Sequence, residues 1–173
     1  MSQPFTLWLM GPTSSGKTTI ARALNSRLEA TGLPCLHFDG DEVRDLYGPD
    51  FSFGPESRLR VVSTCVYLAN KVVNQGIHCI VSALTANDDA RQYVAEHLVN
   101  YSMGYVHCSI NECIRRDPKG LYRKAINGEI DTLVGYNTPY VPPENAVLDI
   151  DTESCDVEQA VEDIYQSIYE NVL

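Results

Sequence analysis

Short runs of mostly apolar residues alternate along the chain with stripes of apolar residues at helical spacing. The run at 5–10 is almost wholly apolar and ends at Gly11. Runs of the same kind predict four more strands, at 34–38, 77–83, 104–110 and 147–150. Strands that are apolar on both faces are typical of a parallel sheet with helices packed on each side.

Apolar residues spaced three and four apart predict the helices between these strands. They lie at 16–30, 56–74 and 87–100, in a short segment after the fourth strand, and from about 156 to the end. The alternation predicts an α/β fold, a three-layer sandwich with a five-stranded, mainly parallel sheet. The 173 residues suit one domain, and segment 118–146, rich in charge, Gly and Pro, is predicted to be a mobile flap on it.

A phosphate-binding signature follows the first strand. Residues 11–18 read GPTSSGKT and fit G-x-x-x-x-G-K-[ST] between a strand and a helix, where the mechanism requires it. Backbone N–H groups of such a loop surround phosphates, Lys17 reaches the β- and γ-phosphates, and the Thr18 hydroxyl is a Mg²⁺ ligand. The fold is therefore predicted to be of the P-loop NTPase type. The predicted ATP-binding loop comprises Gly11, Pro12, Thr13, Ser14, Ser15, Gly16, Lys17, Thr18 and Thr19.

The charge of the chain limits its partners. With 13 basic and 23 acidic residues, the net charge of −10 argues against nucleic acid and anionic membrane surfaces. Five of the basic residues fall within 115–124, which indicates a local site for a polyanionic small molecule. No apolar run is long enough to span a bilayer and no signal peptide is recognisable, so we expect a cytoplasmic protein.

A second polar motif, DGDEVR at 39–44, lies at the carboxyl end of the second predicted strand. Ligands of open α/β sheets bind beyond that edge. The chain is small and has no guanine-reading N-K-x-D motif, which favours a small-molecule kinase. Asp41 is then the candidate base, Asp39 holds Mg²⁺ or positions the acceptor, and Arg44 binds an anionic acceptor. In the alternative interpretation, Asp41 caps a helix.

These motifs, together with a third, resemble the adenylylsulfate kinase (APS kinase) family. The third is RDPKGLYRKA at 116–125, followed by GEI at 128–130 and PY at 139–140, and the resemblance spans roughly residues 4–165. It implies transfer of the γ-phosphoryl group of ATP to the ribose 3′-hydroxyl of adenylyl sulfate, with Mg²⁺. The products are 3′-phosphoadenylyl sulfate and ADP, and a homodimer is expected.

The resemblance also implies roles for individual residues. Asp41, Lys17 and Lys119 are expected to be catalytic, and flap closure would exclude water from the phosphates. Arg116 is expected near ATP, with Thr152 to Val157 near its adenine. The residues expected to bind the acceptor are Asp39, Asp41, Arg44, Phe51, Arg58, Leu84, Thr85, Lys119 and Leu133.

The chain departs from the family pattern on the acceptor side. Val61 stands where the family has Asn, Leu133 where it has a flap Phe, and Thr85 to Asp88 where it has Ser-Pro-aromatic-Arg. Phe53 or Tyr136 is a candidate for the missing ring. An APS kinase, a kinase of the same fold for another nucleotide-like acceptor such as cytidine diphosphoramidate, and a nucleotide-binding regulator without turnover all remain open.

Overall fold

Five strands form one parallel sheet in the computed structural model, which describes residues 3–172 and their side chains as far as residue 168. The strands are β1 (Thr6–Met10), β2 (Cys35–Asp39), β3 (His78–Ala83), β4 (Tyr101–His107) and β5 (Leu148–Asp151). Their order is β2-β3-β1-β4-β5, and each of the four pairings is parallel. The central strand β1 is buried at every position, Thr6 included, as expected of an almost wholly apolar run in the middle of a sheet.

Helices cover both faces of the sheet. They are α1 (Lys17–Ala30), α2 (Gly40–Asp45), α3 (Pro55–Val73), α4 (Asp88–His97), α5 (Ile110–Arg116), α6 (Leu121–Ile126) and α7 (Val157–Val172). One apolar core joins α1 and α7 to the sheet, and a second joins α3 and α4 to its other face. The predicted three-layer α/β sandwich is confirmed. None of the helices within 3–172 combines the length and apolarity of a membrane span.

Some predicted boundaries are wrong. The helix predicted at 87–100 ends at His97, and β4 begins at Tyr101, three residues before the predicted start. Residues 101–103 belong to the strand because they pair with β1, where Tyr101 lies opposite Thr6. The same strand stops at His107 because Ser109 caps α5, its hydroxyl accepting from the Glu112 N–H. The short helices α2 and α6 were not among the predicted elements.

The strand register brings three loops to one edge of the sheet. Met10 lies opposite Ala83, and Asp39 lies opposite Ser82. The carboxyl ends of β1, β2 and β3 therefore meet, together with the phosphate loop, the DGDEVR segment and the turn after β3. This edge is where open α/β sheets bind ligands.

Part of the flap segment is packed into a small core of its own. Tyr122 is fully buried with Cys113, Ala125 and Leu133, and its hydroxyl donates to the Thr13 carbonyl at 3.0 Å. That bond joins the flap to the phosphate loop. The mobility of 118–146 remains a prediction.

Gly11 offers a test of how tightly the phosphate loop is packed. A Cβ on Gly11 would lie 1.9 Å from the Val106 backbone oxygen, at φ +154°, whereas one on Gly32 would meet nothing within 4 Å. We expect Gly11→Ala to lower the free energy of unfolding by on the order of 4 kcal/mol or more. Gly32→Ala, at φ +80°, should cost only about 1 kcal/mol. Urea unfolding measures both, and equal losses would show that β4 yields to the new methyl group.

Candidate active site

The phosphate loop is built to receive an anion. Ser14 has φ +66° and Gly16 φ +98°, so successive N–H groups turn inward, and no side chain caps the start of α1. Ser14 Oγ is buried without a hydrogen-bond partner among the described residues. A buried hydroxyl without a partner is costly in the protein alone. A phosphate oxygen in the loop would give it one.

Lys17 is the cation of this loop. Its Nζ donates to the Pro12 carbonyl at 2.6 Å. Burial lowers the pKa of Lys17 to about 8, against the opposing charges of Asp41 and Asp39, which raise it. A polyanion beside the ammonium would raise this pKa again.

Asp39 joins three parts of the site. Its carboxylate accepts from Thr18 Oγ1 at 2.5 Å, from Ser82 Oγ at 3.0 Å and from the Asp41 N–H at 2.8 Å. Burial by itself raises the pKa of Asp39, but these hydrogen bonds outweigh it and lower the pKa overall. The interpretation in which Asp41 caps a helix is wrong, because Asp39 is the N-cap of α2 and leaves the Asp41 carboxylate free for other contacts.

Thr18 and Asp39 together have the chemistry of a magnesium site. A hydroxyl and a carboxylate supply hard oxygens, and Mg²⁺ beside a nucleotide takes only one or two protein ligands, with phosphates and water completing its shell. Thr18 Oγ1 and Asp39 Oδ2 already lie within one hydrogen bond of each other. These residues therefore fit Mg²⁺.

The acceptor side gathers cations around Asp41. Lys119 Nζ forms a salt bridge with the Asp41 carboxylate, joining the flap to α2. Arg44 donates to the Ser52 carbonyl at 2.7 Å and stacks over Phe53 at 4.7 Å from the ring centroid. This arrangement places a carboxylate beside cationic groups whose charge suits an anionic ligand.

A second arginine links the flap to α3. Arg58 donates to the Thr132 carbonyl at 2.7 Å, next to Leu133 in sequence. Burial lowers the pKa of both Arg44 and Arg58. Both guanidiniums stay charged at neutral pH.

The adenine side expected from the sequence is assembled around Thr152. Arg116 donates to its hydroxyl and its carbonyl, each at 2.8 Å, and Thr152 Oγ1 donates to the Ser15 carbonyl at 2.9 Å. Glu112 accepts from Arg116 Nε at 2.7 Å, and hydrogen bonds from Arg115 and Arg116 lower the pKa of Glu112 to about 2. Arg116 is thereby locked beside the phosphate loop.

One cavity of about 1100 Å³ unites these groups, which is above the usual range for a single small ligand. Most predicted site residues line it: Thr13, Ser14, Gly16, Lys17, Thr18, Thr19, Asp39, Asp41, Arg44, Arg58, Leu84, Thr85, Arg116, Lys119, Leu133, Thr152 and Val157. Gly11, Pro12 and Ser15 form the turn without lining the cavity.

Phe51 is the predicted acceptor residue that the structure leaves outside the cavity. Its ring stacks on Tyr47 at a centroid distance of 4.5 Å, and Phe53 lines the cavity in its place. The aromatic ring available in the cavity therefore belongs to a residue two positions further along the chain than predicted. Sequence reasoning missed Ser82, whose bond to Asp39 follows from the strand register.

Comparison with known proteins identifies the family of this chain. A family model described as adenylylsulphate kinase matches residues 3–151. The chain belongs to this family. It is 36% identical over 148 residues to a probable adenylyl-sulfate kinase of Pyrococcus abyssi, covering 86% of this chain and 85% of that protein.

Two further relatives are similar to the chain over most of its length. An APS kinase of Mycobacterium tuberculosis, solved in complex with AMPPNP and APS, superposes with a TM-score of 0.86 at 28% identity, covering 99% of this chain and 100% of that one. The cytidine diphosphoramidate kinase of Campylobacter jejuni is 34% identical over 143 residues, covering 83% and 84% of the two chains. The predicted P-loop fold and kinase class are confirmed, since adenylylsulphate kinases are phosphotransferases acting on a hydroxyl group.

The lowered pKa of Lys17 predicts that ATP binding takes up a proton. At pH 9 the free protein holds Lys17 mostly neutral, because its pKa is about 8, and bound phosphates raise that pKa again. We expect uptake of about one proton per ATP at pH 9 and an ATP Kd that rises about tenfold per pH unit above pH 8. Calorimetry in two buffers of different ionisation enthalpy measures the uptake. Lys17→Arg stays charged and should abolish it, and equal uptake in this variant would contradict the assignment.

Proposed function

We propose that this chain transfers the γ-phosphoryl group of ATP to the 3′-hydroxyl of adenylyl sulfate, giving 3′-phosphoadenylyl sulfate and ADP. The observation that carries the proposal is the meeting of the phosphate loop with the Asp41–Lys119 pair in one large cavity. A kinase needs donor and acceptor side by side, and a nucleotide-binding regulator has no chemical need of this second half.

The transfer assigns a separate task to each group. The acceptor hydroxyl oxygen attacks the γ-phosphorus, the bond from that phosphorus to the β–γ bridging oxygen breaks, and ADP leaves. The Asp41 carboxylate accepts the hydroxyl proton. Lys17 and Lys119 offset the negative charge that spreads over the phosphoryl oxygens. Mg²⁺, held by Thr18 and Asp39, would neutralise the phosphates further.

The acceptor is bound by the cationic half of the cavity in this proposal. Arg44 and Arg58 contact its phosphosulfate or ribose, and Phe53 offers a ring for the base. Leu84, Thr85 and Leu133 supply the remaining wall. The homodimer and the cytoplasmic location remain predictions.

A second acceptor class is favoured by one specific position. Val61 is only 5% exposed and lines the cavity where the family pattern has an amide. A polar edge of adenine facing it would lose a hydrogen bond. Cytidine diphosphoramidate is the alternative acceptor, in keeping with the Campylobacter jejuni relative.

The proposed function is tested by product identity. We expect ADP release from Mg-ATP to accelerate with micromolar adenylyl sulfate, and the product mass to be that of 3′-phosphoadenylyl sulfate. Asp41→Asn should lower kcat at least about 100-fold, because the proton acceptor is lost, with little change in the Kd of ATP. Glu162→Gln is the matched control, since Glu162 pairs with Arg27 on the α1–α7 side of the sheet, away from the cavity, and should retain turnover.

The contrary outcome is equally specific. Turnover with cytidine diphosphoramidate and none with adenylyl sulfate would replace the acceptor but leave the kinase intact. ATP binding with no acceleration by either would favour the regulator.

The residue at 61 is tested by exchanging the amide and the valine. If adenylyl sulfate is the natural acceptor, Val61→Asn buries an amide in a pocket adapted to valine. We then expect kcat/KM for adenylyl sulfate to fall about tenfold. Val61→Thr keeps the shape and serves as the control for polarity alone. A rise in kcat/KM for adenylyl sulfate in Val61→Asn would count against this acceptor. Leu133→Phe should change kcat/KM for adenylyl sulfate in the same direction as Val61→Asn does.

A further inference from the structure

The turn after β3 contains a conformational outlier. Thr85 has φ +42° and is only 3% exposed. A β-branched residue in this left-handed region is sterically disfavoured, and such residues persist only where surrounding groups hold them. Thr85 and Leu84 form part of the acceptor wall of the cavity, so the outlier lies where the substrate would bind.

Three side chains, from β1, from α4 and from the end of the flap, hold this turn. Trp8 Nε1 donates to Thr85 Oγ1 at 3.0 Å, from the buried centre of β1. Arg91 Nε donates to the Thr85 carbonyl at 3.0 Å. The Tyr140 hydroxyl donates to the Leu84 carbonyl at 3.1 Å. Hydrogen bonds to both carbonyls and to the hydroxyl determine the conformation of the turn.

Arg91 connects this turn to the flap. Besides Thr85, its guanidinium donates through Nη2 to the Val141 carbonyl and lies 5.4 Å from the centroid of the Tyr140 ring. Burial raises the pKa of Tyr140, which keeps its hydroxyl protonated as a donor. One planar cation thus joins α4, the strained turn and the carboxyl-terminal end of the flap.

The planar fork of an arginine is required for this geometry. Two nitrogens bind two carbonyls on different segments while the plane stacks on a ring, which a lysine ammonium does not reproduce. The segment 85–88 has Asp88 where the family pattern has its arginine. Arg91, which lies in α4, donates a hydrogen bond from its guanidinium to the Thr85 carbonyl in this segment.

We propose that Arg91 is a positioning residue for the acceptor. By holding the Leu84–Thr85 wall and the end of the flap in one arrangement, it presents the acceptor hydroxyl to Asp41. This inference rests on the proposed function, because it takes the wall to contact the acceptor. The hydrogen bonds of Arg91 involve no residue of the phosphate loop, so its effect falls on the acceptor and not on ATP.

The kinetic test separates acceptor binding from ATP binding. We expect Arg91→Met to raise the KM for adenylyl sulfate about tenfold or more, while the Kd of ATP stays within about twofold. Arg91→Lys should fall between this variant and the wild type, and keeps the test valid if the methionine variant does not fold. Arg27→Met is the matched control: Arg27 also stacks on a tyrosine, 5.0 Å from the Tyr165 centroid, on the α1–α7 side of the sheet. It should leave both constants unchanged.

The turn itself can be observed without any acceptor. Trp8 is the only tryptophan of the chain, and its indole N–H is bonded to Thr85, so its single ¹⁵N–¹H indole resonance reports the turn. We expect Arg91→Met and Tyr140→Phe to displace this resonance, and Arg27→Met to leave it in place.

The possible outcomes are distinct. An unchanged KM for adenylyl sulfate in Arg91→Met, or an equal loss of ATP affinity, would overturn the inference. A wild-type protein that does not phosphorylate adenylyl sulfate would refute the proposed function. The Trp8 indole resonance would then decide whether Arg91 positions the turn. An undisplaced indole signal in Arg91→Met overturns it, and a displaced one supports it.

Discussion

The site depends on the hydrogen bonds that the Asp39 carboxylate accepts. This carboxylate accepts hydrogen bonds from the first helix, from the neighbouring strand and from the backbone of its own helix. A buried carboxylate with fewer partners would be unstable as an anion. Together the three donors keep Asp39 ionised. The bond from the Asp41 N–H sets the start of α2, and the bond from Thr18 fixes the phosphate loop relative to the acceptor side.

The flap completes the cavity through a small number of directional contacts. Tyr122 bonds to the phosphate loop, Lys119 pairs with Asp41, and Arg58 binds the Thr132 carbonyl. Each contact joins the flap to a different wall. The position of the flap therefore depends on the phosphate loop and on the Asp41 region together.

The departures from the family pattern have different structural consequences. Val61 and Leu133 are both buried in the cavity wall and leave apolar surface where the pattern has an amide and a ring. Asp88 stands where the pattern has an arginine, and Arg91 donates from α4 to the Thr85 carbonyl.

The sequence by itself determined the fold class, the phosphate loop and the DGDEVR motif, because continuous apolar runs and local spacing carry that information. It did not predict the bond between Ser82 and Asp39, the exclusion of Phe51 from the cavity or the link from Arg91 to Thr85. The Ser82 bond depends on strand register, and the position of Phe51 depends on its stacking against Tyr47. The Arg91 bond depends on the fold of a turn whose hydroxyl is held by Trp8, far away in the chain. Only the tertiary structure decided them, since strand register, ring stacking and the conformation of a turn leave no periodic pattern in the sequence.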